Sequence, residues 1–512
     1  MSATQSRLPL PTKLAYGIGA VGEQVFFGMF NTFITIYYNQ ALGLSNSLIG
    51  VAIMIALLGD AVSDPAVGMI SDRWRSRIGR RHPFLFAAPI PVVIAVYLVF
   101  MPPDMLLTGG DNGEPSQIAL FAWLCIWTIL ARLFLTLYTI PHFALGGELT
   151  KDANDRSRLF SINSVFGYMT GALFAFTAWG YFLGGETINA NGDAIPKHLD
   201  ADAYSPLVLT ACGIILSTIV ISAWGTYNRI PMLSAPPANQ SKVSLKNYYH
   251  DLLNAAENRN YLFLIAGFFF FMMSVGLNEV FGVFVNTYVW ELGTEDIKWF
   301  GLAAMPAIVI GALIAPAMMR RFDRRPVLLW AIIAVVIAVQ TPLNLRLLGL
   351  FVSNESPLLL PLLMAQMAVV AGSIAIAAVS VLSMLGDISD QIELEKGLRQ
   401  EGLIYSARAF FAKASNSAGH FIAGVMLDLF VRMPFNAVPG KVDEDVIFRL
   451  ALAGGPIMAF GALFAIPLYA KYSLTRAEHD KIINQLSHKR KHQNEDHPGD
   501  GEPEPKLQTE SE

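Results

Sequence analysis

Residues 57–77 read LLGDAVSDPAVGMISDRWRSR, and they place two acidic side chains in an apolar run that begins near Leu48. Asp60 and Asp64 are one helical turn apart, so a helix presents both carboxyls on one face. At about 1.5 Å per residue, Asp60 lies about 20 Å inside the membrane when counted back from Arg73. Two carboxylates this close in an apolar medium cannot both stay ionised without a cation or a proton. The stretch therefore predicts a cation or proton site within a membrane-spanning helix.

The composition of the whole chain is typical of a membrane protein. Of its 512 residues, 54% are hydrophobic and 15% are charged, whereas soluble domains carry about 25% charged residues. Apolar stretches of about 20 residues recur, and each is long enough to cross a bilayer as a helix. Little sequence remains for a soluble catalytic domain, and the net charge of −4 offers no basic surface for nucleic acid. The first residues lack the features of a cleaved signal peptide, so we expect the first span to be retained.

The apolar stretches predict an all-α membrane protein with twelve transmembrane helices. The expected spans are residues 17–41, 47–71, 83–103, 118–148, 158–184, 205–229, 261–290, 297–320, 327–350, 357–388, 403–430 and 447–472. They form two six-helix halves, expected at residues 1–229 and 261–472. A polar cytoplasmic loop at residues 230–260 joins the halves. Residues 473–512 are expected to form a cytoplasmic and mostly disordered tail, with a short helix at residues 475–488.

Lysine and arginine side chains in alternate loops predict which side of the membrane each loop faces. The loop after the second span carries Arg75 and four arginines that are also candidates for a gate: Arg73, Arg77, Arg80 and Arg81. A gate would pair them with cytoplasmic carboxylates such as Glu148, although topology alone accounts for their charge. The loops that alternate with these basic loops along the chain are acidic or neutral. Both chain ends are therefore expected in the cytoplasm of a bacterial cell, with the protein in the inner membrane.

Two matching segments indicate that the halves arose by duplication. GRRHPFLF at residues 79–86 follows the second span, and DRRPVLLW at residues 323–330 follows the eighth. In each, an arginine pair ends a loop and a proline opens the next helix, where its missing N–H costs nothing. Two six-helix halves in parallel repeat are the layout of the major facilitator fold, in which the substrate site lies near the membrane midplane between the halves.

Ionisable side chains inside spans are costly and therefore mark candidate functional sites. Besides Asp60 and Asp64, they include Arg132, Glu279 and Lys413. Lys413 lies about ten residues inside its span, where it can pair with either acid or bind substrate; snorkelling to an interface is the alternative. For Arg132 and Glu279, an ion pair between helices without a direct transport role is an equally good interpretation. The acid pair also has a structural alternative, as a neutral pair that holds helices together.

The motifs of an enzyme are missing from the sequence. It has no GxxxxGK[ST] nucleotide loop and no HExxH or CxxC motif, so ATP drive is not expected. No cofactor is expected, and no metal beyond a Na⁺ at Asp60 and Asp64. Cys125 and Cys212 lie in apolar runs and are expected to be buried thiols without a redox role.

Four segments of the chain resemble the glycoside-pentoside-hexuronide:cation symporter family, whose best-known member is the melibiose permease. They are YGIGAVGEQVFFGMFNTFITIYYNQALGL at residues 16–44, GDAVSDPAVGMISDRWRSRIGRRHPFLF at residues 59–86, YTIPHFALGGELTKDANDRSRLFS at residues 138–161, and MLGDISDQIELEKGLRQEGLIYSARAFFAKASNSAGHF at residues 384–421. The second segment is the most specific of them. The resemblance covers all twelve predicted spans and implies cation-coupled transport of a small molecule.

The resemblance also implies roles for individual residues at the cation site. Asp60 and Asp64 fall on the family's cation-site carboxylates. Ser63 falls on a position that supplies a side-chain oxygen, and Thr136 falls on the helix-four threonine position. Lys413 falls on the lysine at the cation and sugar sites, which gives it a coupling role.

The substrate side of the resemblance is weaker, because the melibiose type has different residues there. Its helix-one acid falls on Gln24, its helix-four acid on Thr139, and its stacking tryptophan on Phe143. Its helix-five arginine falls on Ser164, beside Asn163. The expected substrate contacts are therefore Gln24, Thr139, His142, Phe143 and Asn163. The residues expected at the cation site match the melibiose type, whereas those expected to contact a galactoside do not. The identity of the sugar therefore stays open.

Together these features predict a secondary active transporter that couples Na⁺ or H⁺ to symport of a carbohydrate by alternating access. The carbohydrate is a glycoside, an oligosaccharide or a uronate, and the protein is expected to act as a monomer in the bilayer. A transporter of a lysolipid or another amphipathic solute is the first alternative, and an apolar cavity would favour it. A non-transporting sensor with this fold is the second, and loss of the carboxylates would favour it.

Overall fold

Long helices make up most of the computed structural model, which describes residues 8–107, 116–150, 152–189, 191–233, 257–396 and 401–496. The N-terminal bundle consists of α1 Leu10–Gly28, α2 Ile34–Ile36, α3 Asn46–Arg73, α4 His82–Ala87, α5 Pro89–Phe100, α6 Asp104–Leu107, α7 Gln117–Glu148, α8 Ala153–Thr177 and α9 Tyr204–Tyr227. The C-terminal bundle consists of α10 Arg259–Phe284, α11 Thr294–Phe322, α12 Arg324–Leu347, α13 Leu359–Lys396, α14 Glu401–Met426, α15 Glu444–Leu452 and α16 Ala459–Ala470, and α17 Arg476–Asp496 follows it.

Short segments of other helix types extend several of these helices. The π-helical segments are Met29–Phe33, Tyr37–Ala41, Ala178–Phe182, Val285–Val289, Leu427–Val431 and Ala453–Ile457, and the 3₁₀ turns are Lys197–Leu199 and Ile230–Met232. Most π-helical segments come near the end of a long helix, where an extra residue per turn lets the chain leave the helix axis.

Ten helical segments in the described residues are long and apolar enough to cross a membrane. They coincide with ten of the twelve predicted spans. The first and eleventh predicted spans are helical at residues 10–41 and 401–431 but are not among these ten. The eleventh contains Glu401, Arg408 and Lys413, which lower its hydropathy. The total of twelve spans therefore stays a prediction.

A two-stranded hairpin departs from the predicted all-α fold. β1 Glu186–Ile188 pairs antiparallel with β2 Ala194–Pro196 in the loop before α9. Its turn contains Gly192 at a φ of +86°, a conformation that glycine adopts without steric cost. A glycine in this conformation is common in hairpin loops longer than two residues, and residues 189–193 join the two strands here.

The chain ends also differ from the prediction in extent. The first helix begins at Leu10 rather than at residue 17, and α17 continues to Asp496, past the predicted end at residue 488. Residues 234–256 of the predicted central loop and residues 497–512 of the predicted disordered tail lie outside the described residues.

The helices pack mainly within their own bundle. In the N-terminal bundle α1 packs against α8 and α9, and α3 packs against α7; in the C-terminal bundle α10 packs against α14 and α16, and α13 packs against α11 and α12. Two helix pairs, α3 with α14 and α8 with α11, join the bundles. The largest apolar cluster contains residues of both bundles, whereas the second lies in the C-terminal bundle alone. The candidate site lies along the α3–α14 contact.

Asp428 holds the two bundles together at the N-terminal end of α3. We call this end of the molecule the opposite face, and the end with Arg80, Arg81 and Arg324 the basic face. Asp428 accepts hydrogen bonds from the backbone N–H of Asn46 at 3.1 Å and of Ser47 at 2.7 Å. It thereby caps a helix of the other bundle, whose own N-cap residue, Ser45, makes no side-chain cap.

Close backbone packing accompanies this cap. A Cβ at Gly424 would lie 2.2 Å from the carbonyl oxygen of Asn46, so only glycine lets α14 approach α3 this closely. Nearby, Gln40 Oε1 accepts hydrogen bonds from the Tyr288 hydroxyl and the Ala437 N–H, both at 2.9 Å. The opposite face is therefore closed by polar and steric contacts between the bundles.

Two loop contacts on the opposite face differ in how they respond to pH. Lys441 Nζ lies 2.5 Å from Asp193 Oδ1, and this hydrogen bond lowers the pKa of the Asp193 carboxyl below its ordinary value. The contact therefore contributes at neutral pH and is lost as the pH falls through the lowered pKa. His198 Nε2 lies 3.0 Å from Thr287 Oγ1, and burial lowers the pKa of His198 to about 3. The second contact therefore stays neutral over the physiological range.

We expect Asp428→Ala to loosen the opposite face, because it leaves the first N–H groups of α3 without their acceptor, at a cost of about 1–2 kcal/mol. Hydrogen–deuterium exchange of residues 45–50 in the purified protein should become faster than in the wild type. Asp443→Ala is the matched control, since Asp443 is exposed and makes no side-chain cap at the start of α15. Equal exchange in the two variants would contradict the assignment.

Candidate functional site

Asp60 is held by an arginine inside the N-terminal bundle. Arg132 on α7 donates to Asp60 Oδ2 through Nη2 at 2.6 Å and through Nε at 3.0 Å. The Asp60 side chain is 5% exposed and the Arg132 side chain 12% exposed. A buried carboxylate and a buried guanidinium each cost several kcal/mol unless they are paired. The pair therefore fixes the positions of α3 and α7 relative to each other.

Lys413 brings the C-terminal bundle to the same acids. Its Nζ lies 2.5 Å from Asp64 Oδ2 and 3.5 Å from Asp60 Oδ2. The other oxygen of Asp64, Oδ1, accepts a hydrogen bond from the Thr136 hydroxyl at 2.8 Å. Two carboxylates and two cations thus meet where α3, α7 and α14 converge. We call Asp60, Asp64, Arg132, Thr136 and Lys413 the ion cluster.

The register of α3 and α7 explains how this cluster forms. Asp60 contacts Arg132 and Asp64 contacts Thr136, and both pairs are separated by 72 residues. Equal separations mean that the two helices run in parallel, with each i, i+4 pair on the facing side. The position of Thr136 opposite Asp64 thus places Arg132 opposite Asp60. This register is the signal that could have identified Arg132 as a member of the site.

The cluster can release one of its cations when an ion arrives. It has equal numbers of acidic and basic groups, so an added Na⁺ competes with Lys413 for Asp64, and an added proton removes the charge that holds Lys413. Ser63 Oγ is buried and has no hydrogen-bond partner, and it neighbours Asp64 in sequence. The donors present are carboxylate and hydroxyl oxygens, which suit a hard cation.

A second cluster of polar groups lies on α10 and α14. Glu279 Oε2 is 3.0 Å from Asn416 Nδ2 and 3.0 Å from His420 Nε2. The His420 side chain is 3% exposed, whereas that of Glu279 is 30% exposed and lines a cavity of about 300 Å³ between the bundles. The sequence leaves the partner of Glu279 open. Because Glu279 and His420 lie in two different helices, no local sequence pattern indicates that they are partners.

Of three further predicted substrate contacts, Gln24 lines a cavity between the bundles, whereas Thr139 and Phe143 line neither that cavity nor the one at Glu279. Gln24 lines a cavity of about 210 Å³ together with residues of α8 and α11. Thr139 and Phe143 are seven and eleven residues after Arg132, so they lie on the same face of α7. Phe143 is 45% exposed on this face.

Two other predicted contacts pack within the N-terminal bundle instead. His142 is buried, its ring stacks on Tyr16 with centroids 4.2 Å apart, and its Nε2 lies 3.1 Å from the Tyr16 carbonyl oxygen. Asn163 is buried where α8 approaches Gly17 of α1, and its Oδ1 has no partner. Neither lines the cavities at Gln24 and Glu279, and a role for them in substrate binding stays a prediction.

Comparison with known proteins assigns the chain to a family. The model of the family described as MFS/sugar transport protein matches residues 15–476, which is most of the chain. The chain belongs to this family. The members and structural neighbours found are transporters, and the protein is accordingly a transporter with several membrane-spanning helices and not an enzyme.

Named relatives agree with cation-coupled sugar transport. The putative glycoside/cation symporter YagG of Escherichia coli (strain K12) is 25% identical, over 94% of this transporter and 95% of that protein. The isoprimeverose transporter of Lactiplantibacillus pentosus is 22% identical, over 96% of this transporter and 94% of that protein. The structure of the xylose transporter XylE from E. coli covers 91% of this chain and 97% of its own, with a TM-score of 0.54 and 15% identity. This last likeness shows the major facilitator fold alone.

The duplicated arginine motif of this transporter forms an equivalent network in each bundle. In the N-terminal bundle Arg80 and Arg81 each contact Glu148 at 2.9 Å, and Arg81 also binds Asp72. In the C-terminal bundle Arg324 Nε lies 3.0 Å from Asp387 Oδ2. The first network joins the loop before α4 to the end of α7, and the second joins the start of α12 to α13.

The predicted gate residues therefore divide into two groups. Arg80, Arg81 and Glu148 form the network inside the N-terminal bundle, which braces the basic face and, among the described residues, makes no bridge to the C-terminal bundle. Arg73 and Arg77 are exposed on the same loop. A gating role for any of them stays a prediction.

We expect Arg132→Gln to destabilise the transporter strongly, because it leaves Asp60 buried with only the more distant Lys413 as a counter-charge. Breaking a buried pair in this way costs about 3–5 kcal/mol. The thermal unfolding midpoint of the purified protein should fall well below that of the wild type. Arg77→Gln provides the control, since Arg77 is exposed. An unchanged midpoint in Arg132→Gln would show that the pair does not support the fold.

Proposed function

We propose that the protein is a secondary transporter that couples the downhill entry of Na⁺ or H⁺ to the uptake of a carbohydrate by alternating access. The observation that supports this most directly is the position of Lys413, which reaches from the C-terminal bundle to Asp64 and Asp60 of the N-terminal bundle. A cation or proton at these acids changes a contact between the two bodies that must move during transport.

The coupling follows from competition at Asp64. While Lys413 binds Asp64, it supports the contact between α3 and α14; when a cation or proton takes its place, that support is withdrawn and Lys413 is free to face the substrate. Ion and substrate then each change the affinity of the other, and this mutual effect is what couples the two fluxes. Asp60 and Asp64 bind the ion, Thr136 and Ser63 supply further oxygens, and Lys413 couples the ion to the substrate.

Most residues in the wall of the cavity at Glu279 are apolar, but five are polar, and for this reason we favour a carbohydrate over an amphipathic solute. The cavity at Glu279 has the side chains of Asn278, Gln366 and Thr32 in its wall beside aromatic rings. A lipid-like solute would favour an apolar wall, whereas a sugar needs both hydrogen-bonding groups and apolar faces. Gln24 lines a second cavity between the bundles, and we propose Thr139 and Phe143 as further substrate contacts.

The proposed working form is a monomer in the bacterial inner membrane with both termini in the cytoplasm. Residues 1–229 and 261–472 would act as its two six-helix halves, since each half contains helices that pack mainly on one another. The arginine networks of the basic face would then lie in the cytoplasm, as the distribution of positive charge in the loops favours.

Asp64→Asn should abolish concentrative uptake of the carbohydrate in proteoliposomes while leaving exchange of substrate across the membrane partly intact. The amide cannot attract a cation or lose a proton, so the ion gradient no longer drives the cycle. Uptake of radiolabelled sugar under an imposed Na⁺ or pH gradient measures the first effect, and counterflow measures the second. Asp443→Asn, at an exposed position, should behave as the wild type. Full uphill transport by Asp64→Asn would disprove the ion site.

Thr136→Val should distinguish Na⁺ from H⁺ as the coupling ion. Sodium coupling predicts that the Na⁺ concentration for half-maximal uptake rises by about tenfold, because an oxygen beside Asp64 is lost. Proton coupling predicts uptake that is independent of Na⁺ and follows the pH gradient. Thr136→Ser keeps the hydroxyl and should restore the wild-type dependence. If the valine variant matched the wild type in both dependences, Thr136 would lie outside the ion site.

A further inference from the structure

Glu279 stands out among the ionisable groups in the membrane because the ion cluster does not include it. It lies on α10, and its partners Asn416 and His420 lie on α14. We propose that Glu279 is a substrate-binding carboxylate that accepts hydrogen bonds from the hydroxyl groups of a neutral glycoside held between the bundles. This inference rests on the proposed function and narrows its substrate to uncharged sugars.

The geometry of Glu279 leaves it available to a ligand. Both donors, Asn416 Nδ2 and His420 Nε2, reach the same oxygen, Oε2, at 3.0 Å. The carboxylate is thus held in one orientation while Oε1 points to no partner among the described residues. A purely structural ion pair would be buried on both sides, yet Glu279 is 30% exposed beside a histidine that is 3% exposed. The exposed part of Glu279 lines the cavity.

The cavity around Glu279 has the size and wall of a sugar site. Its volume of about 300 Å³ is at the lower end of the range of about 300–1,000 Å³ seen for ligand pockets. Trp179 of the N-terminal bundle and Trp290 of the C-terminal bundle both line it, so a bound ring would contact the two bodies. Asn278 and Gln366 add amide donors and acceptors. Apolar ring faces and oriented polar groups are what a pyranose presents to a protein.

The charge of this wall selects against acidic sugars. Glu279 is the one ionisable residue among the described residues that line the cavity. Arg132 and Lys413 of the ion cluster are already engaged with Asp60 and Asp64, and Lys298, which follows the cavity-lining Ile297, is paired with Glu295. While Lys413 is held by Asp64, a uronate brings a second negative charge close to Glu279 and is repelled. A neutral glycoside meets no such repulsion.

Helix α14 connects this subsite to the ion cluster. Lys413, Asn416 and His420 are spaced by three and four residues, so they lie on one face of the helix. Lys413 and His420 are about 10 Å apart along its axis. A shift of α14 that follows release of Lys413 from Asp64 also moves the two groups that orient Glu279. Occupancy of the ion cluster is thereby linked to the affinity for the sugar.

The test measures binding to the purified transporter in lipid nanodiscs by calorimetry, with isoprimeverose and a set of neutral methyl glycosides as one group of probes and glucuronate as the other. We expect neutral sugars to bind the wild type and Glu279→Gln to weaken that binding by about tenfold or more, as expected when a hydrogen bond to a charged group is lost. Glu279→Asp keeps the carboxylate and should bind at an intermediate level. Glu444→Gln, an exposed change in the same bundle, should have no effect.

A second measurement separates a specific effect from misfolding. The thermal shift produced by Na⁺ or by acidification reports on the ion cluster, and it should be the same in Glu279→Gln as in the wild type. If Glu279→Gln loses both this thermal shift and sugar binding, it is misfolded. Glu279→Asp is then the deciding variant: if it binds neutral sugars as tightly as the wild type, the inference is overturned.

The remaining outcomes distinguish this inference from the proposed function. Wild-type binding of neutral sugars by Glu279→Gln would overturn the inference, as would glucuronate binding to the wild type more tightly than any neutral glycoside. Normal sugar binding with loss of proton-driven uptake would show that Glu279 and His420 carry a proton instead. If the wild type shows no ion-driven uptake of any carbohydrate, the proposed function fails, whatever Glu279 binds.

Discussion

The contact of Lys413 with Asp64 and Asp60 is the interaction on which the rest of the site depends. Inside a membrane, each of these charges is costly alone, and only mutual pairing makes the group tolerable. Because two of the charged groups come from α3, one from α7 and one from α14, their pairing requires these three helices to converge at one point. The contact also depends on the charge of the acids, because a cation or proton that neutralises a carboxylate removes the attraction that holds Lys413.

The contacts on the opposite face are of another kind. Asp428 caps the start of α3, and Gly424 lets the backbones of α3 and α14 touch. These contacts depend on hydrogen bonds and shape, and they do not need the ion cluster to form. The α3–α14 pair thus has a steric contact at one end and an electrostatic contact nearer its middle. Release of Lys413 weakens only the second, which changes the balance between closed and open arrangements without disrupting either bundle.

The sequence was sufficient to predict the two acids, the lysine and most of the helices, because each depends on local pattern. Hydropathy locates a span, and an i, i+4 pair within it must share a face. The partners of these groups depend on how one helix is rotated against another, which local pattern does not contain. Helical periodicity does, however, separate His142 from the other candidate residues of α7. His142 is ten residues after Arg132, so it is rotated by about 80° away from the face that carries Thr139 and Phe143, and it packs on Tyr16.

The partners of Glu279 show why contacts between residues far apart in the sequence are the hardest to predict. Asn416 and His420 are more than 130 residues from Glu279, and each alone is an ordinary polar residue in a span. Only the packing of α10 on α14 makes them a unit. Since Lys413 lies on the same face of α14, the helix has one end of that face on the ion cluster and the other on Glu279, which lines the cavity. A rigid helix that contacts both sites transmits displacement at one to the other, so coupling between ion and sugar requires no additional moving part.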